Sequence, residues 1–225
     1  MNIADQLYQT PAWASSRAIV LFLRHGEREA VASHEFPRHD APLTHDGRRA
    51  ARALGQQFGS RLGSIRSSPV PRCIETAQHL LSGSGIECDV GEDRQLGDPS
   101  VFVTDGRLAM ESLNGLGFHQ AARRLGEGEA LPGFADPDHA AGQFVSLAES
   151  LLTVQAVVHV LVTHDLMLST FVARITGQPL PELEWPGYLH GVMLWREQEG
   201  LCLRYGVREL LVPERLRQNG RNLGP

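Results

Sequence analysis

Two short apolar runs in this chain each end in a histidine beside another polar group. Ala18-Ile19-Val20-Leu21-Phe22-Leu23 runs into Arg24-His25-Gly26, and the run 157–162 ends in Thr163-His164-Asp165. Runs this short and this apolar read as strands buried on both faces, as in a parallel sheet covered by helices. Parallel strands share one edge at their carboxyl ends, and open α/β sheets bind ligands just beyond that edge. Both strand ends are therefore expected to deliver their polar groups to one place.

The intervening segments carry helical patterns. Thr44-His45-Asp46-Gly47 opens an amphipathic helix with Ala50, Ala53, Leu54, Phe58 and Leu62 on its inner face and Gly63 as its stop. A short strand over 64–66 leads into Ser67-Ser68-Pro69-Val70-Pro71-Arg72. Proline there fits the first turn of a helix, which is expected over 73–81 with Ile74, Ala77, Leu80 and Leu81 inward. Another strand is expected at 87–90. From 91 to 139 frequent Gly and Pro weaken the pattern, with helices around 107–113 and 119–125; this stretch reads as an inserted cap over one end of the sheet. A helix over 140–153 precedes the second apolar run, and another begins at Asp165 and reaches 175. The stretch 178–189 reads as a loop, and 191–195 with 201–205 as a closing hairpin. Residues 1–17 and the tail from Pro213 read as surface or loose segments. The alternation predicts a single domain over 1–225, a three-layer α/β/α sandwich with a mainly parallel central sheet and an inserted cap at about 91–139.

Composition limits the chemistry. A chain of 225 residues can bury a full α/β core. Its net charge of −5 gives no general affinity for nucleic acid or an anionic membrane, so an anion site must be a local cluster of positive charge. All 21 basic side chains are Arg and there is no Lys, which excludes Schiff-base chemistry and a P-loop lysine. Cys73, Cys88 and Cys202 show neither a disulfide framework nor zinc spacing, as in a reducing compartment. No signal-like leader and no run long enough to span a bilayer is present, so a cytoplasmic location is expected. His34, His39 and His45 lack ligand spacing and read as a solvated loop; no metal is expected.

Arg24, Arg28, Arg72, His25, His164 and Asp165 form an inventory suited to phosphoryl transfer through a phosphohistidine. The transferred group spreads negative charge over its oxygens, and catalysis is mostly positioning and charge stabilisation. His25, neutral at one ring nitrogen, would attack phosphorus. A carboxylic acid must protonate the leaving alkoxide and then activate water, and Asp165 stands beside His164 for that.

These motifs resemble the histidine phosphatase superfamily, also called phosphoglycerate mutase-like. The matching residues are Leu23-Arg24-His25-Gly26-Glu27-Arg28; Pro42-Leu43-Thr44 with Gly47 and Ala50-Ala51; Ser67-Ser68-Pro69 with Arg72 and Thr76-Ala77; and Thr163-His164-Asp165. The resemblance implies that His25 is the phosphorylated nucleophile, and that Arg24, Arg72 and His164 hold the phosphate. Arg28 and Asp165 are typical of the acid-phosphatase and phytase branch, where the Asp donates the proton. The mutase branch takes its donor from the insertion, and Asp98 in Leu96-Gly97-Asp98-Pro99 matches that place. Asp165 is the first candidate donor and Asp98 the second. The expected activity is metal- and cofactor-independent hydrolysis of a small phosphorylated substrate. A phosphomutase and a non-catalytic phosphoryl-binding protein are the alternatives. Trp185 and Tyr188 line the pocket or pack on the hairpin, Cys73 reads as a half-buried structural thiol, and Glu75 as a partner of a helix dipole.

Overall fold

The computed structural model describes residues 16–29, 41–97, 99–181 and 184–219. A seven-stranded sheet forms its centre. The strands are β1 (Ile19–Arg24), β2 (Leu62–Ser67), β3 (Gly91–Glu92), β4 (Val158–Thr163), β5 (Gly191–Glu197), β6 (Gly200–Tyr205) and β7 (Arg208–Leu211), in the order β3-β2-β4-β1-β5-β6-β7. From β3 to β1 neighbouring strands are parallel, and from β1 to β7 antiparallel. The helices are α1 (His45–Phe58), α2 (Pro71–Ser84), α3 (Gly106–Leu116), α4 (Phe118–Gly126), α5 (Pro137–Leu151), α6 (Asp165–Thr176) and α7 (Glu214–Asn219).

β1 is buried from Ile19 to Leu23, as its unbroken apolar run predicts for a strand covered on both sides. Its side chains alternate between two cores. Ile19, Leu21 and Leu23 pack with Leu54, Phe58 and Leu80 of α1 and α2. Val20 and Phe22 face the other layer, with Phe144 of α5 and Phe171 of α6. Phe22 stacks on Phe144 at 4.5 Å, and Phe102 from the inserted segment meets Phe144 edge-on at 4.9 Å. The insertion is thus joined to the core of the sandwich.

Four local expectations need correction. Ala50 and Ala53 are exposed, and the buried face of α1 is Gly47, Ala51, Leu54, Gly55 and Phe58. Glycine makes this face: a Cβ at Gly55 would lie 1.9 Å from the Leu80 carbonyl oxygen, so α1 and α2 touch backbone to backbone. The helix ends at Gly59, whose φ of 49° suits glycine, before Gly63 is reached. Within the tail, residues 214–219 are not loose. α7 docks on α5 through fully buried Leu216, while Arg217 pairs with Glu149 at 3.1 Å. The strand expected at 87–90 instead forms at Gly91–Glu92.

No helix among the described residues is long and apolar enough to cross a membrane.

Candidate active site

Strand register assembles the site. Leu23 pairs with Val162 and Arg24 with Thr163 across β1 and β4, while Ser67 of β2 pairs with Val162 from the other side. The next residues, His25, His164 and Ser68, therefore emerge side by side at the carboxyl edge. Backbone bonds continue the ladder past the strands, from His25 N–H to the Thr163 carbonyl at 3.1 Å and from Ser68 N–H to the Val162 carbonyl at 2.9 Å. Pro71 starts α2, a position that tolerates its missing N–H, and this sets Arg72 in the first turn beside both imidazoles.

His25 is 3% exposed. Its Nδ1 lies 2.8 Å from the carbonyl of Gly26, so that nitrogen carries the proton and donates. Nε2 keeps its lone pair and accepts from Arg72 Nε at 3.1 Å. Burial, and then the charges of Arg72, Arg24 and Arg28, hold this imidazole well below its usual range against the opposing Gly26 hydrogen bond. Arg72 also donates from Nη2 to His164 Nδ1 at 3.2 Å, and His164 Nε2 meets Ser68 Oγ at 3.0 Å. A guanidinium can only donate, so His164 accepts at Nδ1 and donates to Ser68 from Nε2.

Arg24 lies between the site and the 184–190 segment. It donates to the Pro186 carbonyl at 2.6 Å, pairs with Asp165 at 2.8 Å and covers the Tyr188 ring at 4.2 Å. Its Nε is buried without a hydrogen-bond partner among the described residues. Leu189 holds a φ of 54°, a conformation that costs a non-glycine residue about 1–2 kcal/mol. Its N–H bonds the His25 carbonyl at 3.3 Å, and the turn brings Tyr188 to 5.8 Å from His25. Trp185 Nε1 donates to Asp165 at 3.4 Å. Each aromatic thus touches a residue of the site, Trp185 through Asp165 and Tyr188 through Arg24 and His25.

Asp165 is the first residue of α6, with His164 as the N-cap, so it does not cap the helix. Its Oδ1 accepts from the Leu166 N–H at 2.9 Å, and Oδ2 is taken by Arg24 and Trp185. Arg28 lines the same pocket and donates to the Glu29 carbonyl at 3.0 Å. Asp98 lies outside the described residues, as do His34 and His39. Just before it, the Leu96 carbonyl accepts from Thr163 Oγ1 at 2.8 Å.

Cys73 is fully buried, rather than half-buried, and burial pushes its thiol up to about 12. A thiol so protonated is inert at neutral pH. Glu75 accepts from the Leu43 N–H at 3.0 Å and from Arg48 at 2.5 Å, tying α2 to the loop before α1. Thr76, which carries no role in the sequence reading, accepts from the Gly26 N–H at 2.9 Å and donates to the Arg72 carbonyl at 2.6 Å. The signal for it was its position one helical turn after Arg72. A metal-binding group of three or more His, Cys, Asp or Glu is absent among the described residues.

The family model described as the histidine phosphatase superfamily (branch 1) matches residues 20–195. A search of curated protein sequences finds no match. Among solved structures, the chain is similar to mycobacterial glucosyl-3-phosphoglycerate phosphatase, at 21% identity and a TM-score of 0.60 over 84% of this chain and 96% of that one. A phosphoserine phosphatase from Entamoeba histolytica gives 18% identity and a TM-score of 0.59 over 83% and 94%. A phosphoglycerate mutase from Bacillus anthracis gives 15% and 0.56 over 86% and 95%. A match of this extent, on a chain whose strand ends bring Arg24, His25, Arg72 and His164 together, has a plain meaning: the protein belongs to the histidine phosphatase superfamily.

Proposed function

We propose that this protein is a phosphomonoesterase that works through a phosphohistidine at His25 Nε2. The observation that carries the reading is the state of His25. Its Nδ1 proton is engaged by the Gly26 carbonyl, and its Nε2 lone pair sits 3.1 Å from a guanidinium nitrogen. A buried imidazole kept neutral beside three Arg is a nucleophile already in the form that attacks phosphorus.

The chemistry runs in two steps. Nε2 attacks phosphorus and the bond to the ester oxygen breaks. The departing alkoxide takes a proton from a carboxylic acid. Water then gives a proton to that carboxylate and attacks the phosphohistidine, whose P–N bond breaks to release phosphate. Arg24, Arg28 and Arg72 neutralise the equatorial oxygens throughout, and His164 holds Arg72 in place among them. The unpartnered Nε of Arg24 is a donor available to one of them. Asp165 is the proposed acid, releasing Arg24 to the phosphate as it takes up its proton; Asp98 is the second candidate. The cage supplies its own positive charge, so the reading includes no metal cofactor.

Turnover of p-nitrophenyl phosphate in EDTA by wild type and His25→Ala tests the proposal. Wild type should be active and the variant inactive; equal rates in both would remove His25 from the mechanism. Phosphoryl transfer to a hydroxyl in a mutase assay with a bisphosphate, in place of hydrolysis, would favour the mutase alternative.

A further inference from the structure

The pocket that opens on His25 continues well past the phosphate cage. It is a half-open cleft that runs between the inserted segment and α6, with a cavity of about 140 Å³. Its lining divides by chemistry. The sheet edge and helix starts contribute Arg24, His25, Arg28, Arg72, His164 and Asp165. The insertion contributes Phe102, Val103, Met110, Leu113 and Phe134, and α6 adds Leu166 and Met167. Apart from the cage, Thr170 is the single polar side chain among the described residues that line it.

A sugar, amino acid or carboxylate body would meet almost no partners there. Each hydroxyl or charge buried without a hydrogen bond weakens binding by roughly tenfold to a hundredfold. A hydrocarbon body would lose nothing and would remove apolar surface from water. The phosphoserine and glucosyl-3-phosphoglycerate phosphatases of similar fold are named for polar substrates; the wall contributed by this chain's insertion has the opposite character. We propose that the substrate is the monophosphate ester of an apolar alcohol, with phosphate at His25 and a hydrocarbon body against the insertion. This rests on the phosphomonoesterase reading.

The test compares kcat/KM across three series: methyl, butyl and hexyl phosphate; phenyl and naphthyl phosphate; and phosphoserine, phosphoglycerate and a hexose phosphate. Butanol and hexanol leave about equally well, so their ratio reads binding of the body. The expected rise is about threefold to fourfold per methylene, with the polar esters far below hexyl phosphate. A rise from butyl to hexyl marks a chain-binding pocket; a rise from phenyl to naphthyl marks an aryl-binding one. Met110→Glu should cut the hexyl-to-methyl ratio at least tenfold, and Met110→Leu should restore it. If Met110→Glu does not fold, Met110→Gln should shift the ratio in the same direction. Two flat series, with polar esters turned over as well or better, would overturn the substrate class and leave the phosphomonoesterase standing. Turnover of no ester at all would overturn that reading and this proposal with it.

Discussion

A proton added to His25 Nε2 would place a new positive charge against Arg72 on a ring that is already buried. Burial, followed by the charges of Arg72, Arg24 and Arg28, opposes that proton and keeps the imidazole well below its usual value of 6.5. The neutral form needed for attack therefore persists in acid. Removing Arg72 takes away the largest of the opposing charges, so the folded-state value of His25 must rise. Arg72→Gln is expected to move the acid limb of the kcat/KM profile to higher pH, and to lower the plateau by roughly 10²–10³ through the lost oxyanion donor. An unmoved limb would show that Arg72 does not govern His25. The leaving group discriminates the role of Asp165. Nitrophenolate needs little protonation and an alkoxide needs it fully. Asp165→Asn should thus cost alkyl phosphates far more than p-nitrophenyl phosphate. Equal losses would make Asp165 a positioning residue for Arg24, and the same comparison on Asp98→Asn would then test the second candidate. The reacting groups were legible in the sequence because a cation and an imidazole at the end of an apolar strand are poor core material. Ser68, Thr76 and Leu189 carry no role in the sequence reading, because a hydroxyl or a turn residue takes its function from what the fold sets beside it.

Close backbone approach decides how α1 sits. A Cβ at Gly47 would lie 2.2 Å from the Glu27 carbonyl oxygen, and one at Gly55 1.9 Å from that of Leu80. These glycines hold different neighbours. Gly55→Ala forces α1 and α2 apart away from the chemistry; it should lower the unfolding free energy by about 1–3 kcal/mol in urea while the folded fraction keeps its kcat. Gly47→Ala pushes on the segment that follows Gly26 and should lower kcat as well as stability. If Gly55→Ala proves as harmful to kcat as Gly47→Ala, the helix pair and the site are coupled more tightly than this packing implies. At the tail, Leu216→Ala removes a fully buried side chain from the α5–α7 contact, and a loss of about 2–5 kcal/mol is expected. Hydrophobic periodicity misassigned the inner face of α1 because it counts apolar side chains, whereas this contact depends on their absence. It left α7 out because six residues carry too little pattern to announce a helix.

Across the whole molecule, the two apolar runs determined more than their own strands. Their burial on both faces implied helices above and below. The shared edge of parallel strands implied one site, and the register of β1 with β4 places both histidines there. The shape of the substrate pocket was the least legible part. Its walls are ordinary apolar residues of the insertion, Phe102, Met110, Leu113 and Phe134 among them, and any of these could have served a plain core. Only their common opening onto His25 gives them another use. The central claim is that His25 becomes covalently phosphorylated. Rapid mixing with excess p-nitrophenyl phosphate, an alkaline quench and mass spectrometry of the peptides test it directly. The account predicts a burst of nitrophenolate and one phosphoryl group, stable in base and labile in acid, on the peptide that carries His25 and absent from His25→Ala. Full turnover with no phosphorylated intermediate, or a phosphoryl group on any other residue, would contradict it.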